Sequence, residues 1–445
     1  MKPHTHTHTH TRADAAGCRS RFRGAMRLAL ILLGGILAGF ILLLAAYALP
    51  VERMAQNVLL SVPTFDGSWG SGEESYEQLL KGYQTTQLDN STDALMLLTA
   101  IHPSEEPLIK RTVNVYGASY PYLTLRGLAG TDMEELSSVP IARYWLGFLI
   151  FLKPLLLIMT YMDIRMLNML LQGALLAAII ALMQRRGLSR YLPAFCLSLV
   201  CVTPFIVPFS LQFSTVFYIF TIAMFILLWK PEWVTGRLGD SAFFLLIGMA
   251  TSYFDFLTYP VATFGMPFLL LLVMRERDGN QPLWRMLTRL GASWCFGYFG
   301  MWAGKWPLAA LFSGEPFWAN LFAKIGQRSS LESEAEAITR LDVLLSVAKV
   351  FAKKPYLILG VAAATGYGVA LLRARGAREP LPVSRLLLFL FVSLLPVVWY
   401  FFTGNHTYNH AFFTSRGLIV TVFGLLCLLT RLTERRDVAA DRSGR

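Results

Sequence analysis

Long apolar runs separated by short basic clusters make up most of this chain, and within each run the apolar residues are continuous rather than alternating. A run of about 20 apolar residues matches a helix crossing the hydrocarbon core of a bilayer. Barrel strands alternate in polarity and helices satisfy their own backbone groups, so the expected fold is an all-α polytopic membrane protein. The runs predict ten spans, at 28–49, 163–183, 191–209, 211–229, 241–257, 258–274, 290–312, 355–372, 386–402 and 415–430. Segment 141–162 is also apolar, but Arg143, Lys153 and Pro154 interrupt it. A crossing there would strand Arg185, Arg186 and Arg190 outside, so an interfacial or re-entrant helix is expected instead.

Charge sets the orientation. Arg12, Arg19, Arg21, Arg23 and Arg27 precede the first run, which places the N-terminus in the cytoplasm. Segment 50–140 carries twelve acids against five bases and is expected to form an external loop domain. Every loop then assigned to the cytoplasm is basic, including the 431–445 tail, while 313–354 becomes a second external loop. Residues 1–27 form a basic tail with a histidine–threonine repeat, expected to be disordered. The predicted division is therefore a tail (1–27), a first span (28–49), an external domain (50–140), an interfacial segment (141–162), a bundle (163–312), an external loop (313–354), a second bundle (355–430) and a tail (431–445).

A hydrophobic content of 55% with only 15% charged residues excludes an ordinary soluble enzyme, as does a mean hydropathy of +0.49. The net charge of +12 is explained by bases flanking the spans, so no nucleic-acid partner is expected. The five cysteines lie in the tail or inside spans without a CxxC pair, which argues against a zinc site or a disulfide framework. There is no nucleotide-binding glycine motif, so an enzyme of this kind would take a donor from the membrane. The predicted location is the cytoplasmic (inner) membrane of a bacterium, with oligomeric state left open.

Polar residues that the apolar pattern does not require gather on the predicted external side. Asp89 and Asp93 in QLDNSTDALMLL stand four apart, on one face of a helix, where one of them serves either as a cap or as a general base. Arg143 and Lys153 lie in the interfacial segment and Asp163 and Arg165 open the second span, so these bases could grip a lipid phosphate. Asp255 in SYFDFLTYP is an ionisable residue at membrane depth with no charged neighbour in sequence. GNHTYNHAFFTSR sets Asn405, His406, Tyr408, His410 and Arg416 between two spans, suited to hydroxyl-rich ligands and a phosphate. His406 and His410 have metal-ligand spacing but no acidic third ligand nearby, so no metal is predicted.

This architecture, with a cytoplasmic start, an acidic first external loop and polar residues collected on the external side, resembles the GT-C superfamily of membrane glycosyltransferases. Members often carry an acidic pair soon after the first span. Here Glu52 stands beside Arg53, and the first spaced pair is Asp89 with Asp93. The resemblance implies transfer of a sugar from a polyprenyl-phosphate donor to an envelope glycan or lipid acceptor, with inversion; the residues indicate no cofactor and leave a divalent metal open. By that analogy Asp89 or Asp93 is the base, Arg143, Lys153, Arg165 or Arg416 meets the leaving phosphate, and Asp255, His406 and His410 orient hydroxyls. A transporter or flippase for a lipid-linked or anionic solute is the second reading, and a non-enzymatic envelope scaffold the third.

Overall fold

The computed structural model describes residues 9–65, 76–103, 105–118, 120–128, 138–140, 142–276, 283–312, 317–333, 336–374 and 381–434. Most of the histidine–threonine repeat, the acids Asp66, Glu73 and Glu74 and the tail beyond Glu434 lie outside the described residues. Helices α1 (Thr9–Tyr47) and α2 (Glu52–Ser61) lead into a small domain of α3 (Asn90–Ile101), α4 (Leu108–Asn114) and α5 (Pro121–Gly127). A two-stranded antiparallel ribbon, β1 (Tyr116–Ala118) with β2 (Ser138–Pro140), closes it, with Gly117 opposite Val139. The bundle follows as α6 (Leu149–Leu156), α7 (Tyr161–Arg185), α8 (Leu192–Ser198), α9 (Leu211–Trp229), α10 (Asp240–Phe254), α11 (Val261–Glu276) and α12 (Leu283–Phe312). Then come α13 (Phe317–Ser329), a second ribbon of β3 (Glu332–Ser333) and β4 (Glu336–Ala337), and α14 (Arg340–Phe351). The last elements are α15 (Lys354–Arg373), α16 (Val383–Phe402), α17 (Gly404–Asn409), α18 (Ala411–Thr414) and α19 (Leu418–Leu432).

The protein is all-α apart from these ribbons. Among the described residues, six helical segments are long and apolar enough to cross a membrane: those at 22–47, 161–185, 211–229, 354–373, 383–402 and 411–432. The other expected spans differ for identifiable reasons. Segment 191–209 is broken, since Pro204 and Pro208 cannot continue a helix and Thr203 adopts a φ of +53°. Helices α10 and α11 have 15 and 16 residues, about 23 Å each at 1.5 Å per residue. Helix α12 has 30 residues, long enough to cross but not apolar enough to be one of the six, and α6, where an interfacial helix was expected, has eight residues.

Helices α10 and α12 make the closest pairing, and paired glycines are the cause. A Cβ at Gly248 would sit 2.1 Å from the Trp294 carbonyl oxygen, and one at Gly297 would sit 2.1 Å from that of Leu245. Only glycine lets two backbones approach so closely. The same helix rests on α1, where Gly300 meets Leu32 and Gly304 meets Ile36. By contrast α12 and α16 stand apart along most of their length, meeting where Trp284 Nε1 donates to Ser384 O at 3.0 Å, and a cavity lies between them. Helix α15 has no buried residue and meets the rest through Tyr367, whose hydroxyl lies 3.1 Å from Thr430 Oγ1, and Tyr356, whose hydroxyl lies 2.5 Å from Thr85 Oγ1.

Candidate functional site

Between α12, α16 and the α10–α11 turn runs a cleft of about 790 Å³. Its longest wall is a stripe on α12 at three- and four-residue spacing, from Trp284 through Leu287, Gly291, Cys295 and Tyr298 to Trp302. That stripe covers ~27 Å of helix, close to the depth of a bilayer core. Phe391, Leu395, Val398 and Phe402 of α16 face it, so the walls are apolar along most of their length.

Polar groups collect at one end. Loop 142–148 carries Arg143 and is fixed by hydrogen bonds to its own backbone. Trp302 Nε1 donates to Arg143 O at 3.0 Å, Lys305 Nζ donates to Tyr144 O, and Gly147 N donates to Tyr253 O at 2.8 Å. Trp145 Nε1 reaches Met301 O at 2.7 Å. Helix α13 adds Lys324 and Arg328, one turn apart on the same face. The Arg143 and Arg328 guanidinium carbons lie 4.9 and 5.5 Å from the Tyr144 ring centre. Among the described residues no carboxylate lies within salt-bridge distance of these three cations. Arg143 Nε and Arg328 Nη1 are shielded from solvent and have no hydrogen-bond partner. Burial holds Lys324 below the usual lysine range, and Arg143 and Arg328 add to the effect.

Asp255 is the one carboxylate in the cleft lining among the described residues. It follows α10 and accepts from Thr258 Oγ1 at 2.5 Å and from Thr258 N at 3.0 Å, a turn that fixes its direction. Within that turn Leu257 holds a φ of +70°, unfavourable for a branched side chain. His406 Nε2 lies 2.8 Å from Leu257 O, a contact in which the ring N–H donates and which braces the strained residue. Burial, then Arg328 and His410, hold His406 well below the usual imidazole range; burial and Arg328 bring His410 down to about 4. Both rings are therefore neutral near pH 7 and act through hydrogen bonds and stacking, as when His410 stacks on Phe413 at 5.2 Å.

Of the residues singled out in the sequence, Arg143 and Asp255 line the cleft and the others do not. Asn405 is tied to the β3 strand through a bond from its Nδ2 to Glu332 O. Tyr408 is partly exposed and remains outside the cleft lining. Asp163 forms a capping box with Thr160 at the start of α7. Lys153 is buried and donates to Ala100 O at 2.6 Å, satisfying a carbonyl at the end of α3. Arg416 is 1% exposed, with Nη1 2.7 Å from Val202 O and its guanidinium 4.2 Å from the Phe213 ring centre. Nη1 and Nη2 serve backbone carbonyls, Nε is buried without a partner, and the residue is not among those that line the cleft.

The two aspartates at the head of α3 are caps. Asp89 accepts from Thr92 N and Thr92 Oγ1, both at 2.9 Å, as the N-cap of its own helix. Asp93 caps a different helix, accepting from Leu211 N at 2.9 Å and Gln212 N at 3.2 Å at the start of α9. Ser210 Oγ and the Tyr161 hydroxyl donate to it as well. Arg165 stacks over Tyr161 at 4.2 Å and supplies the nearby positive charge. With four donors and no exposed surface, Asp93 has no free position for an acceptor hydroxyl.

Burial pushes Asp89 from 3.8 up to about 7; the Thr92 N–H bond opposes this and Asp93 adds to it. A folded-state value above the unfolded one favours the protonated form, so this stabilisation is present at low pH and fades as pH rises through about 7. Asp89→Asn keeps the capping oxygen and cannot ionise. Its melting temperature in detergent is expected to exceed wild type at pH 8 and to show a flatter profile from pH 5 to 8. Parallel profiles would show that the residue does not titrate in this range.

Lys324 and Arg328 were missed by the sequence reading, which treated 313–354 as a loop. The available signal was amphipathic: in FWANLFAKIGQRS, Trp318, Leu321, Phe322 and Ile325 recur at helical spacing while Lys324 and Arg328 fall one turn apart. In comparisons with protein families, curated proteins and solved structures, nothing matches this chain.

Proposed function

We propose that this protein is an integral membrane glycosyltransferase that draws a polyprenyl-phosphate-linked sugar into the α12–α16 cleft and passes the sugar to an envelope glycan or lipid acceptor. The observation that carries this reading is an apolar cleft of bilayer depth ending under three cations that have no carboxylate partner among the described residues. A long isoprenoid tail suits the walls, and a phosphate suits Arg143, Lys324 and Arg328. In the reaction an acceptor hydroxyl oxygen bonds to the anomeric carbon as the bond from that carbon to the phosphate oxygen breaks. The lipid phosphate leaves with the electron pair, its charge met by the cations, and the hydroxyl proton passes to Asp255, the cleft's carboxylate. Asp89 and Asp93 keep the external domain seated on α9.

A flippase needs a polar route for its head group, whereas here the polar groups sit at one end of an apolar wall. That placement favours a tail-holding cleft over the transport reading. Gly291 lines the cleft, and a Cβ there would meet only Phe264 Cζ at 3.7 Å, so Gly291→Leu should fold and partly fill the space. In nanodiscs with radiolabelled polyprenyl-phosphate sugars as donors, this variant is expected to transfer at least about tenfold less sugar than wild type. Unchanged transfer would place the donor elsewhere.

The reading includes ten membrane passages with both termini cytoplasmic and the cation end of the cleft external. Gly326 on α13 and Gly236 between α9 and α10 are both exposed, with nothing within 4 Å of a added Cβ. A cysteine at 326 is expected to react with an impermeant thiol reagent on intact cells, and one at 236 only after permeabilisation. The reverse pattern would invert the topology and remove the external site.

A further inference from the structure

The charge at the mouth of the cleft goes beyond what one phosphate would use. Arg143, Lys324 and Arg328 converge there, and the neighbouring imidazoles of His406 and His410 are neutral near pH 7. Among the described residues Asp255 is the one carboxylate in the cleft lining, and its hydrogen bonds come from the neutral Thr258. A phosphodiester linking a sugar to a lipid carries a single negative charge, so with the Asp255 carboxylate counted one of the three cations would still remain uncompensated beside an apolar wall. Uncompensated like charges close together in a low-dielectric setting are expensive. Lys324 feels both arginines, and the free donors Arg143 Nε and Arg328 Nη1 add acceptor demand that one phosphate's oxygens would not fill.

Resting on the transferase reading, we infer that Lys324 and Arg328 are specificity-determining residues that count phosphates, and that the preferred donor is a polyprenyl diphosphate-linked glycan. Arg143 stands on a loop pinned to α12 and meets the phosphate common to both lipid classes. Lys324 and Arg328 approach together from α13 and meet the second phosphate. In transfer from such a donor the bond between the anomeric carbon and the distal phosphate oxygen breaks. Polyprenyl diphosphate leaves with the electron pair, and the hydroxyl proton goes to Asp255.

The test is binding of four lipids to the full chain in nanodiscs: polyprenyl diphosphate, polyprenyl phosphate, cardiolipin and phosphatidylglycerol, with inorganic pyrophosphate as a soluble competitor. Wild type is expected to hold the diphosphate lipid at least about tenfold tighter than the monophosphate lipid, and Lys324→Gln with Arg328→Gln should bring the two to similar affinity. Inorganic pyrophosphate should compete weakly because it lacks the tail. Equal wild-type affinity for the two polyprenyl lipids, or parallel loss of both in the double variant, would overturn phosphate counting while leaving the transferase reading in place. Cardiolipin binding as tightly as polyprenyl diphosphate would assign the cations to a diacyl diphosphate lipid and overturn the inference. No preference for either polyprenyl lipid over phosphatidylglycerol would defeat the transferase reading itself.

Discussion

Asp93→Ala is expected to remove most of the folded protein. The carboxylate takes bonds from Tyr161, Ser210, Leu211 and Gln212, and it is fully buried next to Arg165. Its loss strips the cap from α9 and leaves a 2%-exposed guanidinium without its nearby anion. Leaving a buried donor without its acceptor costs about 1–3 kcal/mol, and several such losses together are a large part of the 5–15 kcal/mol that holds a typical domain. Size-exclusion chromatography with a fluorescent tag, after graded heating, should show a melting temperature many degrees lower or aggregation at expression. Asp93→Asn should fall between the two, because its amide oxygen can still accept but its NH2 group faces other donors. A stable Asp93→Ala protein that has lost only its activity would return this residue to the chemistry.

The second large effect is expected at the mouth of the cleft. Neutralising Arg143, Lys324 or Arg328 singly to glutamine removes a charge-assisted bond to phosphate, and such bonds contribute about 1.5–3 kcal/mol, or roughly 10- to 100-fold in affinity. The triple variant should abolish measurable donor binding. Its fold should survive, since none of the three is fully buried and none holds a carboxylate among the described residues. Circular dichroism and melting should therefore match wild type while lipid binding is lost. Arg416→Lys serves as the contrast: by breaking bonds to Val202 and Thr85 it should lower stability with little change in donor affinity. If Arg416→Lys instead weakens donor binding at wild-type stability, the phosphate lies on the α19 side.

The helical, membrane-embedded character was legible in the sequence because apolar runs of bilayer length have few other uses. Breaks within runs were harder to read. Segment 191–209 has the apolar length of a span, and Pro204, Pro208 and the positive φ at Thr203 end the helix where hydropathy alone runs on. At the site, Arg143 and Asp255 stood out because each is a charge set among apolar and aromatic neighbours. Asp89 and Asp93 stood out for the same chemical reason, but spacing along a helix cannot show that Asp93 reaches the start of another helix 118 residues further on. Arg416 likewise reads as a free base in sequence, and only packing shows it buried with Nη1 and Nη2 turned to backbone carbonyls. Lys324 and Arg328 were hidden for the opposite reason: α13 is short and amphipathic, so no hydropathy window registers it. The His406 cluster was read as a wall of the site, whereas it stands behind one, bracing the Leu257 turn that aims Asp255.

The claim at the centre of this account is that the α12–α16 cleft holds a polyprenyl lipid by its tail and its phosphate. Native mass spectrometry of the protein released from nanodiscs made with its own membrane lipids addresses this directly, comparing wild type, Gly291→Leu and the Arg143, Lys324 and Arg328 triple variant. The account predicts a bound polyprenyl phosphate or diphosphate species in wild type that is depleted in both variants and is replaced by free polyprenyl carrier when an acceptor-containing membrane extract is added. Only bulk phospholipid on wild type, unchanged in either variant, would contradict it.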